Sequence, residues 1–227
     1  MSDTLILAAI LIPILVVSIV FHEVAHGWAA LALGDTTAKE RHRLTLNPIR
    51  HADPVGTVLV PGALALFGGP IFGWAKPVPV NKWRLNNPRY GMMAVAAAGP
   101  GTNFALALIA TIGLGLLGRN LVAEPTGALE WTLLALNYMV IINLFLALFN
   151  LLPIPPFDGS HIVEGLLPRK WATAYEKLRP IGMILLVLLI AATWAFPQFG
   201  LIEKVILPPV EWIRMHFMDL ALAIAQS

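Results

Sequence analysis

Residues 5–33 read LILAAILIPILVVSIVFHEVAHGWAALAL, and within that stretch only His22, Glu23 and His26 can ionise. The run exceeds the roughly 20 apolar residues that carry a helix across a bilayer. It therefore reads as a transmembrane helix with one polar interruption. A cleaved signal peptide is the competing reading, but residues 1–4 hold Asp3 and neither Lys nor Arg, and the run is far longer than a signal's apolar segment. The composition agrees with a membrane protein: 58% of the 227 residues are apolar and 12% charged, against about a quarter charged in soluble domains. With no cysteine there is neither a disulfide framework nor a thiolate metal site. A net charge of +2 gives no footprint for nucleic acid.

Working outward, uncharged blocks recur at Gly91–Leu117, Trp131–Leu152 and Ile181–Phe196. The first two reach spanning length and the third is short. Pro54–Trp74 is also apolar, but Pro61, Gly62, Gly68, Gly69 and Pro70 punctuate it too often for a straight span, and a re-entrant excursion fits better. After Pro208-Pro209, Val210, Ile213, Phe217, Leu220 and Ile224 share one helical face. With Glu211, Arg214 and Asp219 interspersed, this tail is expected to lie on the membrane interface. The fold expected is an all-α polytopic membrane protein. Three core transmembrane helices are followed by one or two C-terminal helices at about 181–226, and a small re-entrant or β segment at about 40–80 separates the first two. The whole, 1–227, is read as one integral membrane domain with its core at 5–160.

Charge decides the topology. If Pro54–Trp74 spans, the fifteen Lys and Arg divide eight to seven between the two faces; if it enters and leaves on one face, they divide twelve to three. Basic residues concentrate on cytoplasmic loops, so the re-entrant arrangement is favoured, with the N-terminus outside. The protein is then a multi-pass protein of the cell (plasma or inner) membrane.

His22-Glu23-Val24-Ala25-His26 is an H-E-x-x-H pentapeptide on the first helix. Residues i and i+4 share a face, so both imidazoles can reach one metal with Glu23 beside them. A Glu inside an apolar span costs about 2.5 kcal/mol or more on the lowest insertion scales, so the trio needs a partner. A polar network between helices, or an ion path, is the plainer alternative. A catalytic zinc takes three protein ligands and leaves one position for water. The stretch Asn150-Leu-Leu-Pro153-Ile-Pro155-Pro156-Phe-Asp158-Gly159 offers the third: its prolines end a helix, and Asp158-Gly159 places a carboxylate on a sharp turn. An ordinary exit turn with a solvated Asp158 reads equally well from these residues alone. His22 lies ~25 Å from the outer end of its span, in the cytoplasmic half. Asp158 reaches that half only if Pro54–Trp74 does not span, which is the topology the basic residues favour.

These motifs resemble those of the site-2 protease family of intramembrane zinc metalloproteases: H-E-x-x-H in an apolar helix, Gly99-Pro100-Gly101-Thr102-Asn103 opening the intervening span, and N-x-x-P-x-P-x-x-D-G intact from Asn150 to Gly159. The resemblance implies that His22, His26 and Asp158 bind Zn2+, that Glu23 is the general base, and that Asn150 assists near the scissile peptide. It also implies membrane-anchored or single-span protein substrates cut within or near their spans. The re-entrant segment resembles the family's membrane-associated β structure, which receives substrate as an added strand. No room is seen for an inserted PDZ domain, so the chain resembles the compact members.

Further candidates remain. Asn103, beside Gly99-Pro100 and read as a helix start, is either a cap-like structural residue or a substrate contact, and is the candidate substrate-binding residue. Asn137, Asn143 and Asn150 lie near whole turns on one helix, where amides either bind substrate or join helices. His161 is an alternative ligand to Asp158. Arg41, His42, Arg43, Asn47, Arg50, His51 and Asp53 are solvated loop residues or line a water route to the site. Trp74–Val80 is the candidate edge strand, with prolines that leave few amides for pairing. A metal- or proton-coupled transporter using the same residues is the rival function; the absence of a visible internal repeat weighs against it. A homo-oligomer in the lipid bilayer is left open.

Overall fold

The computed structural model describes residues 2–60, 75–119, 121, 124–196, 198, 200 and 204–227. Three long helices form its frame: α1 (Ser2–Ala32), α3 (Pro88–Gly118) and α4 (Ala128–Asn150), of 31, 31 and 23 residues. All three are long and apolar enough to cross a membrane. Leu5, Ile12, Ile109 and Leu116 point outward from them and are exposed, an apolar surface suited to lipid. Between α1 and α3 lie a short α2 (Thr37–Glu40) and single-turn segments. After α4 come α5 (Asp158–Leu166), α6 (Arg169–Glu176), α7 (Gly182–Ala195) and α8 (Leu207–Gln226). No strand occurs among the described residues. The protein is thus all-helical and integral to a membrane.

Helix α3 stands at the centre, with α1, α4, α5 and α8 all packed on it. Its buried side is a stripe of small residues: Gly91, Ala96, Gly99, Ala107, Ala110 and Gly115. Small side chains let helix backbones approach closely where lipid gives no hydrophobic drive to associate. Asn87 caps the helix, its side chain accepting from the amides of Arg89 and Tyr90, and Pro88 takes the first position, where a missing N–H costs nothing. The helix begins there and runs on through Pro100. Asn103 is therefore a mid-helix residue, not a cap.

The tail departs from the expectation. Helix α8 packs into the bundle: Ile206 and Val210 join Ala107, Ala110, Val140 and Leu144 in one core cluster, and Arg119 at the end of α3 donates to the Ile224 carbonyl. The predicted face is the one that turns inward, with one exchange: Leu220 is exposed and Ala221 buried. A Cβ on Gly115 would lie 2.8 Å from the Ala221 carbonyl oxygen. The approach is too close for a leucine side chain. Helix α7, with 14 residues, is about 21 Å long. That is short of a bilayer's core.

The middle of the expected re-entrant segment, residues 61–74, lies outside the described residues. Its ends are joined: the Lys76 amide donates to the His51 carbonyl at 2.8 Å, so the chain comes back to where it left. Asp53 caps the turn at Pro54–Leu59, accepting from the amides of Val55 and Gly56.

Candidate active site

His22 and His26 stand one turn apart on α1, their rings edge to face with centroids 4.6 Å apart. Both are buried. Their Nε2 atoms lie 3.0 Å from each other and 3.1 and 3.3 Å from Asp158 Oδ2. Asp158 is the first residue of α5, delivered there by the proline-rich turn after α4. That turn is tight: a Cβ on Gly159 would sit 2.2 Å from the Leu151 carbonyl oxygen. The α3 wall is equally close, because a Cβ on Gly99 would lie 2.5 Å from His26 Cε1 and 2.6 Å from His22 Cε1. Glycine there leaves room for both rings.

The protonation pattern follows from the partners. His26 Nδ1 faces the Val95 carbonyl at 2.7 Å, and His22 Nδ1 faces Asn103 Oδ1 at 2.5 Å. Oxygens of this kind only accept, so each Nδ1 donates to its oxygen and each Nε2 is left to face Asp158. Apart from those two Nε2 atoms, no polar group among the described residues reaches Asp158 Oδ2, although it is buried. Three potential ligand atoms thus converge, all within 4.8 Å of one another, a set that can hold a metal ion. A tetrahedral zinc with ligands near 2.0–2.1 Å sets its donor atoms about 3.3 Å apart, and the observed separations of 3.0, 3.1 and 3.3 Å fit it.

The trio opens onto a cavity of about 440 Å3, lined also by Glu23, Asn150, Val78, His161 and Arg179. Glu23 Oε2 accepts from the Val78 amide at 2.7 Å. Asn150 donates to the Leu146 carbonyl one turn back. Asn103 does not line the cavity: it is wholly buried, its amide spent on His22 and on Asn143. His161 is close but outside the converging trio. Its Nδ1 accepts from Arg179 at 2.8 Å, and burial, then the Arg179 charge, lower its pKa to about 4.

Two residues of the basic loop are structural. Arg43 is buried and donates to the Lys76 carbonyl at 2.7 Å, and buried His51 bonds the Thr45 carbonyl. None of that loop lines the cavity; Lys82 and Arg179 supply its cations. The candidate edge segment, described from Ala75 to Val80, forms neither helix nor strand. The amides of Lys76 and Val78 are taken by His51 and Glu23, and Pro77 and Pro79 have none. No amide from 76 to 79 remains for a substrate strand. The reading of the sequence missed Ser18 and the Val78 amide: a lone serine in an apolar span carries no pattern, and a backbone donor carries no residue type.

Lone-pair donors buried among apolar helices, beside a carboxylate and open to a cavity, are what a membrane-embedded, metal-dependent hydrolase requires. The sequence pattern of peptidase family M50 matches residues 10–191. The chain is 40% identical over 182 residues to YwhC of Bacillus subtilis, covering 79% of this chain and 78% of that protein. It is 30% identical over 187 residues to Rip2 of Mycobacterium tuberculosis, covering 82% and 68%. A third relative, MJ0611 of Methanocaldococcus jannaschii, is 43% identical over 70 residues, 31% and 32% of the two chains. All three are provisionally named zinc metalloproteases. No solved structure matches. The chain belongs to peptidase family M50, the site-2 protease family that its motifs resemble. It is a membrane-embedded protease, which decides against the transporter.

Proposed function

We propose that the chain is an intramembrane zinc endopeptidase in which His22, His26 and Asp158 hold the metal and Glu23 is the general base. Zinc, when bound, lowers the pKa of a bound water toward about 7 and polarises a peptide carbonyl. The chain's own residues do the rest. Glu23 takes the proton that water loses as its oxygen bonds to the carbonyl carbon. It then passes that proton to the amine released when the C–N bond breaks. The Val78 amide holds one carboxylate oxygen and leaves the other for the proton. Asn150, which also lines the cavity, hydrogen-bonds the scissile peptide in this reading. Burial among α1, α3 and α5 limits water to what enters by the cavity.

One observation carries this reading: potential ligand atoms of His22, His26 and Asp158 converge within 4.8 Å beside Glu23, although the sequence brings them from positions as distant as 22 and 158. The substrates are membrane-anchored or single-span proteins, and the whole chain acts as one protease domain. It belongs in the cell membrane with its N-terminus outside and the site toward the cytoplasm, a placement supported by the basic residues of the loops between α1 and α3 and after α4. Purified chain in detergent should cleave members of a panel of single-span substrates, and Glu23→Gln should abolish cleavage while zinc stays bound. Undiminished cleavage by Glu23→Gln would overturn the assignment.

A further inference from the structure

Behind His22 runs a chain of buried hydrogen bonds that crosses all three spans. Ser18 on α1, Asn103 on α3 and Asn143 on α4 are each 0% exposed. Its direction can be read from groups that only accept. The Met139 carbonyl takes an N–H from Asn143 Nδ2 at 2.9 Å, and the same nitrogen donates to Ser18 Oγ at 2.8 Å. Ser18 spends its own hydroxyl proton on the Ile14 carbonyl at 2.7 Å. Asn143 therefore turns its oxygen toward Asn103 and accepts from Nδ2 there at 2.8 Å. The Ser18 carbonyl, 3.5 Å from the same Nδ2, demands the same orientation. Asn103 must then face His22 with its oxygen, and only a protonated Nδ1 can stand against it at 2.5 Å.

We infer that Asn103 and Asn143 are positioning residues, which lock the proton on His22 Nδ1 and so aim the Nε2 lone pair at the metal. His26 obtains the same result directly from a carbonyl; His22, whose Nδ1 faces no carbonyl, obtains it through two amides. The inference rests on the reading of His22 as a ligand. It gives Asn103 a role other than substrate contact and Asn143 one beyond joining helices. Amides can turn over, and each is prevented by the next link.

The test uses the zinc-loaded chain in detergent micelles and follows zinc release to a chelator. Removing a partner of a ligating histidine typically weakens metal binding about 10- to 100-fold, and Asn103→Leu should fall in that range. Asn143→Leu, which keeps the bulk but frees Asn103 to turn over, should weaken it about tenfold, at the lower edge of that range. Asn103→Asp keeps an oxygen on Nδ1 but sets its other oxygen against Asn143 Oδ1, and should lose less zinc affinity than Asn103→Leu. A second readout is independent of zinc: nitrogen-15 NMR of histidine-labelled, metal-stripped protein. His22 should appear as the Nδ1–H tautomer in wild type and in Asn103→Asp, and as a mixture in Asn143→Leu. An unchanged tautomer and unchanged zinc release in Asn143→Leu would overturn the inference. If that variant does not fold, equal behaviour of Asn103→Asp and Asn103→Leu would do so. A wild type that binds no zinc yet shows the Nδ1–H tautomer would overturn the proposed function and the aim at the metal, while upholding the lock on the His22 tautomer.

Discussion

The Val78 amide and the Glu23 carboxylate meet at 2.7 Å, although 55 positions separate them in the sequence. A residue flanked by prolines thus supplies a donor to the proposed base. The segment is fixed in turn by Arg43, which holds the Lys76 carbonyl, and by Asp35, which takes the Asn81 amide at 2.6 Å. Glu23 is positioned by residues that never touch it.

Arg43→Gln should loosen this strap without touching the metal. Loss of a hydrogen bond from a charged donor is worth about 1.5 kcal/mol, roughly tenfold in rate. The expected result is kcat down about tenfold on that basis, with KM and zinc content little changed. Steady-state kinetics beside metal analysis decides it, and an unchanged kcat would show that the strap does not reach Glu23.

Two glycines of one motif should respond in opposite ways. Alanine at Gly99 would collide with both imidazoles, which their Nδ1 bonds hold in place, so Gly99→Ala should lose zinc. Around Gly101 nothing lies within 4 Å of an added Cβ, and Gly101→Ala should keep zinc and gain up to about 1 kcal/mol from helix propensity. Zinc content and thermal unfolding in micelles distinguish the two.

The place of the tail is open to a direct chemical test. A Cβ on Gly118 would lie 3.6 Å from Ala225 Cβ, within the range of a disulfide, and the chain has no cysteine of its own. Gly118→Cys with Ala225→Cys should crosslink within one chain on mild oxidation, visible as a reducible mobility shift. A tail lying on the interface would leave both thiols free.

Asp35 should make stability depend on pH. It is buried, and burial acts to raise its pKa. The Thr37 hydroxyl, the amides of Asn81 and Thr37, and then the Arg84 charge outweigh that and hold it below the usual carboxylate range. The folded state therefore favours the ionised form more than the unfolded chain does. The stabilisation is complete above the ordinary value near 3.9 and is lost as pH falls through the depressed one. Asp35→Asn should remove that acid limb, and at neutral pH should cost about 2 kcal/mol, because its NH2 would face the Asn81 amide. Unfolding of both proteins across acid pH checks the sign.

Much of this was legible in the sequence, and the boundary has physical causes. His22 and His26 could be paired because a helix fixes which residues share a face. Asp158 could be proposed beside them because the proline-ended turn that carries it comes to the same half of the membrane on the topology that the basic loops favour. Periodicity also found the inward face of α8. It could not say whether that face meets lipid or protein, since both accept apolar side chains, and the interspersed Glu211, Arg214 and Asp219 pointed to the interface. Ala221 takes the place expected of Leu220 only because Gly115 brings the backbones together. Asn103, read as a cap from its neighbours Gly99-Pro100, proved to be mid-helix because α3 tolerates Pro100. Arg43 and His51 looked like solvated loop residues; the carbonyls that bury them belong to backbone that no motif marks.

Metal analysis of the purified chain, with zinc-edge X-ray absorption, tests the centre most directly. The expected result is one zinc per chain bound by two imidazoles and oxygen ligands, with zinc lost in His26→Ala and Asp158→Ala. A wild type that holds no zinc from zinc-supplemented medium, or an Asp158→Ala variant that keeps zinc with an unchanged spectrum, would contradict the assignment of His22, His26 and Asp158.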